Sequence, residues 1–325
     1  MALAVLLCAA LVTGLLAFAT GNGWALWVVG AHGVAGLAIV LIIPWKSTVV
    51  RRGMGRSRPG RGASVLLAAM TFVALTSGFM FSTGLVLRYG PLNAMQVHVG
   101  SAVVAIAVAL VHVWQRPVRP RAVDLERRNL LRAGALAGTA IAAYAGLEGA
   151  MRLLRLPGER RRDTGSHERG SFDPAAMPVV SWFDDKIPNV DGWLLTVKAG
   201  GGLRTWTIAE LGEFADHVTA TLDCTSGWYA TQEWTGVRID RLLGTLAGES
   251  ILVTSATGYR RRYPIGDAPR LLLATGVGGN PLSPGHGAPA RLVAPGRRGF
   301  WWVKWVTEIS VEERPWWVQA PFPLT

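Results

Sequence analysis

Long apolar segments follow one another up to about Met151, and after Pro157 they stop. A helix needs about 20 apolar residues to cross the hydrocarbon core of a bilayer. Residues 2–19, 24–45, 63–87 and 93–114 meet that requirement, and a fifth stretch, rich in Ala and Gly, covers 133–151. The sequence therefore predicts two unlike parts in one chain. The first is an all-α transmembrane bundle of four helices plus a fifth anchoring helix, and the second is a globular C-terminal domain. Residues 1–115 make up the four-helix part, 116–170 the fifth helix with its flanks and a linker, and 171–325 the globular domain.

Lys and Arg outnumber Asp and Glu by 33 to 21, for a formal net charge of +12. The distribution speaks against a nucleic-acid partner, because much of the excess stands in short connections between apolar segments. The connection after the second span holds Lys46, Arg51, Arg52, Arg56, Arg58 and Arg61 without an acid. The one after the fourth holds Arg116, Arg119, Arg121, Arg127, Arg128 and Arg132 against Asp124 and Glu126. Positive connections stay in the cytoplasm, which predicts a bacterial-type, multi-pass membrane protein with its N-terminus inside and its C-terminal domain outside. Arg152, Arg155, Arg160, Arg161 and Arg162 run against this rule on the expected outer side. The stretch Arg127-Arg128-Asn129-Leu130-Leu131-Arg132, ahead of the Ala/Gly-rich span, resembles a twin-arginine export signal, which carries folded, cofactor-loaded domains outward. Glu126 and Leu130 depart from the usual pattern, and a plain basic flank gives the fifth span the same orientation.

His32, His98 and His112 lie inside the spans, where an ionisable side chain is costly and marks function by default. His32 lies roughly 12 Å and His98 roughly 9 Å from the outer ends of their helices at the usual rise per residue. Two imidazoles at matching depth on different helices suit one haem b gripped from both faces. Gly33, Gly36 and Gly100 are expected to admit the flat macrocycle. His112 projects from nearly the same face as His98, deeper in, and is the candidate ligand of a second haem, although no other span offers it a histidine partner. Neutral imidazoles hydrogen-bonded across a bundle fit the same residues. The arrangement is similar to the b-type cytochrome membrane subunits of bacterial respiratory enzymes, and a membrane quinone or quinol is the expected electron partner.

Beyond the Pro-, Gly- and charge-rich residues 157–178, expected to be linker, alternating runs predict strands at 193–198, 251–255, 271–274, 291–294 and 303–311. Helical stretches are predicted at 208–214 and 239–246. This is an α+β pattern without the regular strand–helix alternation of a dinucleotide fold. Gly276-Val277-Gly278-Gly279 lacks the continuation of a phosphate loop. The chain has two cysteines, too few for a disulfide framework. Cys8 lies in an apolar span, while Cys224 is followed by the small, polar Thr225, Ser226 and Gly227. A single thiolate is a soft ligand suited to a redox-active metal, and zinc lacks a second Cys or His at ligand spacing. Taken alone, a lone Cys is more often a small buried hydrophobe.

The ordered set of segments goes further. Leu222-Asp223-Cys224-Thr225-Ser226-Gly227-Trp228, with Trp234-Thr235-Gly236-Val237 after it, resembles the molybdenum-ligating segment of the sulfite oxidase family of molybdopterin-dependent oxidoreductases. Ser255-Ala256-Thr257-Gly258-Tyr259 is similar to that family's substrate-side tyrosine segment. Leu272-Leu273-Ala274 with Gly279-Asn280-Pro281-Leu282 is similar to its next element. The run from His286 through Arg291 to Gly296 resembles the pterin-phosphate motif, and Val303-Lys304-Trp305-Val306 the strand that closes the cofactor site. The resemblance covers residues 177–311. It implies an α+β molybdopterin-binding domain holding Mo-molybdopterin with a single pterin. Cys224 would be the molybdenum ligand, with Thr225, Ser226 and Gly227 around it. His286, Arg291, Lys304 and the backbone near Trp302 would hold the phosphate, and Tyr259 would face a small-molecule substrate. Ser181-Trp182-Phe183 stands where sulfite oxidases carry an Arg-His pair, and Arg260, Arg261 and Arg262 offer positive charge beside Tyr259.

The expected function is membrane-bound oxygen-atom transfer, either S- or N-oxide reduction or sulfite-type oxidation, with electrons passing through a membrane haem b and quinone. Two other readings stay open. In one the helices only anchor a molybdoenzyme served by a separate electron partner; in the other a metal-free descendant binds or senses.

Overall fold

The computed structural model describes residues 2–54, 61–115, 122–180, 186–244 and 247–322. The arginines at 56, 58, 116, 119 and 121, and the Ser181-Trp182-Phe183 stretch, lie outside the described residues. The chain divides into two compact units, Met1–His167 and Glu168–Thr325.

The first unit consists of α1 (Ala2–Ala19), α2 (Ala25–Met54), α3 (Arg61–Thr83), α4 (Ala94–Gln115) and α5 (Arg127–Leu153). Among the described residues these five helices are long and apolar enough to cross a membrane. They are apolar around most of their circumference and leave side chains such as Phe72, Leu110 and Trp114 exposed, as helices do when lipid rather than protein covers them. The most extensive helix contacts join α1 with α2 and α3 with α4, and α5 lies along α2.

The second span is borne out at Ala25–Trp45, in a helix that runs on through Pro44 to Met54. Two expectations need correction. Helix α5 begins at Arg127, so the paired arginines form its first turn instead of preceding the span. The first part of the expected linker is not linker. Gly158 packs so tightly on the end of α3 that an added Cβ would lie 2.2 Å from the Ser82 carbonyl oxygen. Arg161 donates to that same carbonyl at 3.1 Å and forms an ion pair with Glu148 of α5. One of the arginines on the wrong side of the charge rule is thereby neutralised inside the unit.

The second unit contains two sheets. One runs through β1 (Leu195–Ala199), β2 (Gly202–Trp206), β5 (Ser250–Ser255), β6 (Arg260–Pro264) and β10 (Val306–Glu312), in the order β2-β1-β10-β5-β6. The other contains β3 (Asp216–Cys224), β4 (Trp228–Arg238), β7 (Leu272–Val277), β8 (Asn280–Pro281) and β9 (Arg291–Val293). There β3 and β7 flank β4, and β8 and β9 both pair with β7, all antiparallel. Short helices α6 (Ile208–Gly212) and α7 (Ile239–Leu243) cover strand ends, and Thr207 and Glu210 close a capping box at the start of α6. The core takes alternate residues from both sheets, including Leu195, Trp234, Ile251, Leu273, Leu292 and Ile309, all essentially inaccessible.

Candidate cofactor site at Cys224

Cys224 is the last residue of β3, and its Cα pairs with Trp228 across the turn into β4. The turn closes with Gly227 N–H donating to the Cys224 carbonyl at 3.0 Å, and Gly227 takes the positive φ of +93° that this geometry needs. Within the turn, Cys224 Sγ lies 3.1 Å from Ser226 Oγ, and Thr225 and Ser226 are half-buried. A second turn, Gly299–Trp301, presses on the cysteine from outside the hairpin. A Cβ at Gly299 would stand 3.0 Å from Cys224 Cα, so only glycine lets the two backbones meet.

Three contacts fix that second turn. Arg298 and Asp223 form a fully buried ion pair at 2.5 Å. Tyr259 Oη donates to the Phe300 carbonyl, and Tyr263 Oη donates to the Trp301 carbonyl. Tyr263 is completely buried, and burial raises its hydroxyl pKa well above the usual value, so it stays a donor. Arg298 and Tyr263 carry no signal of this role in the sequence, and Asp223 stands there only as the residue before Cys224.

Arg291, on β9, is 2% exposed. Its Nη1 donates to the His286 carbonyl at 3.0 Å, and its guanidinium lies 5.2 Å from the Trp234 ring centre and 5.7 Å from that of Trp302. Among the described residues its Nε has no hydrogen-bond partner, nor has the buried indole nitrogen of Trp228 beside Cys224. Burial pulls the guanidinium down to about 10, against an attractive influence of the Cys224 sulfur. Gly287, at φ +108°, sets Arg291 beside Lys304, since a Cβ there would lie 3.0 Å from Arg291 Cβ and 3.1 Å from Lys304 Cβ. Lys304 Nζ donates to the carbonyls of Val180 and Gly285. Trp302 is buried, with its indole N–H on the Arg297 carbonyl.

The donor set fits an anionic sulfur- and phosphate-bearing cofactor. A buried cation without a carboxylate costs several kcal/mol unless an anion arrives to pair with it, and Arg offers a planar two-point grip on phosphate. One expected phosphate contact has another occupation. His286 directs Nε2 to the Met177 carbonyl at 3.0 Å and Nδ1 to Ser283 Oγ at 2.8 Å. Both ring nitrogens are engaged by the protein, so the ring ties its loop to the start of the unit. Two residues of the arginine run are also committed. Arg262 pairs with Glu312, and Arg261 lies 4.2 Å from the Trp301 ring centre and donates to the Ala320 carbonyl. With Tyr259 these residues line a cavity of about 670 Å³.

In the first unit the structure brings His32 and His98 together, with ring centres 5.8 Å apart and planes crossed at 86°. His32 Nδ1 lies 3.0 Å from the Ala10 carbonyl and 3.2 Å from Thr13 Oγ1, and His98 Nδ1 lies 2.7 Å from the Ala74 carbonyl. A carbonyl only accepts, so each Nδ1 carries the proton and each Nε2 keeps its lone pair. His112 stands apart, its Nδ1 3.4 Å from Ser64 Oγ. Gly33 does not open the backbone to a macrocycle as expected, because the Tyr144 ring of α5 fills that space.

Residues 184–319 match the family model "Oxidoreductase molybdopterin binding domain". A protein-methionine-sulfoxide reductase catalytic subunit MsrP from Xanthomonas axonopodis pv. citri is 31% identical, covering 37% of this chain and 45% of its own length. Mitochondrial sulfite oxidase from Rattus norvegicus is 30% identical, covering 39% of this chain and 30% of its own. The crystal structure of sulfane dehydrogenase SoxCD from Paracoccus pantotrophus aligns with a TM-score of 0.36 and 22% identity over 42% of this chain and 40% of its own, too slight a likeness to carry an inference. The chain spans less than half the length of these relatives. Cys224, Arg291 and Lys304 all fall inside the segment that matches the molybdopterin-binding oxidoreductase domain.

Proposed function

We propose that this chain is a membrane-bound molybdopterin-dependent oxidoreductase that transfers an oxygen atom to or from a small substrate and exchanges electrons through a haem b and a membrane quinone. The observation that carries the proposal is Cys224 held in a tight hairpin turn, in the same unit as a buried Arg291 that has no carboxylate partner among the described residues. When bound, Mo-molybdopterin supplies two-electron oxygen-atom chemistry. Cys224 supplies the ligand sulfur, with Thr225, Ser226 and Gly227 shaping its turn. Arg291 and Lys304 hold the anionic tail, and Trp302 and Trp234 keep water from the Arg291 charge. Tyr259, pinned through Phe300, lies on the substrate side.

The name of the MsrP relative favours reduction of an S-oxide, which takes up two electrons and two protons and releases water. Sulfite-type oxidation is the same chemistry run the other way. The His32–His98 pair supports haem as the electron carrier. Both imidazoles, with ring centres 5.8 Å apart, would offer an Nε2 lone pair to a haem iron, which would supply one-electron chemistry. One haem suffices for the proposal, since the contact to Ser64 accounts for His112 as a polar helix contact. The positive connections support a globular unit on the outer side of the membrane, with the twin-arginine-like start of α5 as its export signal.

The test is Cys224→Ala in the full chain. Wild type is expected to hold about one molybdenum per chain and to reduce a sulfoxide with an artificial electron donor. The variant is expected to lose turnover by at least a thousandfold while keeping its circular dichroism spectrum. Equal turnover in both would remove Cys224 from the site.

A further inference from the structure

The seats of His32 and His98 have matching sequences. Ala10-Leu11-Val12-Thr13-Gly14 on α1 and Ala74-Leu75-Thr76-Ser77-Gly78 on α3 share Ala, Leu, a hydroxyl residue and Gly at equivalent positions. Their contacts match as well. In each seat the Ala carbonyl accepts from Nδ1 of the histidine on the next helix. In each, the Gly four residues later lies against that same imidazole. A Cβ on Gly14 would be 3.2 Å from His32 Cε1, and one on Gly78 would be 2.8 Å from His98 Nδ1. Residues four apart share a helix face, so carbonyl and glycine form one surface. The hydroxyls also agree. Thr13 donates back to Ala9 and Ala10, and Ser77 to Val73 and Ala74, at 2.6 and 3.2 Å in both cases.

We infer that α1–α2 and α3–α4 are two copies of one imidazole-presenting helical hairpin, in which Ala10 with Gly14 and Ala74 with Gly78 are the positioning residues for a matched pair of axial haem ligands. The inference rests on the haem reading above. The two Nδ1–H bonds to carbonyl oxygen give both imidazoles the same tautomer and similar basicity, as such second contacts do for metal-bound histidines. The seats, rather than the haem, set the crossing angle of 86° between the rings. Thr13 adds a contact to His32 at 3.2 Å.

The test uses the full chain in detergent, with haem and molybdenum quantified and the ferric haem examined by electron paramagnetic resonance. Wild type is expected to show one low-spin species of high anisotropy, the signature of crossed imidazole planes. Gly14→Val and Gly78→Val are each expected to lower haem per molybdenum at least tenfold at unchanged molybdenum content, which also certifies folding. Gly134→Val, on α5 where an added Cβ meets nothing within 4 Å, is expected to keep both. The gentler Gly78→Ala is expected to retain haem and shift the resonance anisotropy. Full haem with an unchanged spectrum in either valine variant would overturn the seats. A wild type with molybdenum and no haem would overturn the haem reading itself, so the two failures are told apart.

Discussion

Arg291 carries its charge almost wholly out of water, with two tryptophan rings and a peptide carbonyl around it and, among the described residues, no acid to balance it. A side chain so placed works against the stability of the empty domain, and its burial drives its own pKa down to about 10. Arg291→Met keeps the stem and removes the charge. Its predicted effects have opposite signs. The cofactor-free protein gains roughly 1–4 kcal/mol, by analogy with other buried charges replaced by apolar groups, while molybdenum content after cofactor loading falls at least tenfold. Denaturant unfolding and metal analysis check the two halves. A loss of stability in the cofactor-free variant would mean that the charge serves the fold alone. Cys224, Arg291 and Lys304 were legible in the sequence because their segments stand in family order. Arg298, Asp223 and Tyr263 were not, because a buried ion pair and a buried hydroxyl depend on chain segments 75 and 38 residues apart, from Asp223 to Arg298 and from Tyr263 to Trp301.

The hairpin of β3 and β4 and the loops that press on it place the site. Most of the other strands could be read from hydrophobic alternation, yet this hairpin was missed. In β3, Val218, Ala220, Leu222 and Cys224 alternate with Thr219, Thr221 and Asp223, a period-two signal that was there to be read. The helices were easier, since apolar length alone marks them, and only their ends moved. The turn Pro284–His286 has a role of its own, because His286 links it to Met177 and Ser283. Burial, helped by the nearby Arg291 and Lys304 charges, holds this imidazole below its ordinary 6.5. As pH falls through 6.5, the unfolded chain takes up a proton that the folded ring refuses, so stability is lost on the acid side. The unfolding midpoint of the full chain is predicted to drop between about pH 7 and pH 5. His286→Asn is predicted to start lower and to flatten part of that slope. A parallel slope in the variant would assign the pH dependence to other groups.

At the scale of the whole chain, two units of different solvent preference share one sequence, and that division was plain in the hydropathy. The loop–helix packing of Gly158 and Arg161 was not, because it depends on a glycine fitting against the end of α3 and on a single carboxylate, Glu148. The proposal joins the units by function: electrons enter at the His32–His98 pair and are used at Cys224. The most direct test is a dithionite-reduced minus oxidised visible spectrum of the detergent-purified chain, with haem quantified against molybdenum. The account predicts a b-type α-band at about one haem per molybdenum, abolished by His32→Ala and by His98→Ala with molybdenum retained. Molybdenum without any haem band would contradict it and leave the helices as an anchor.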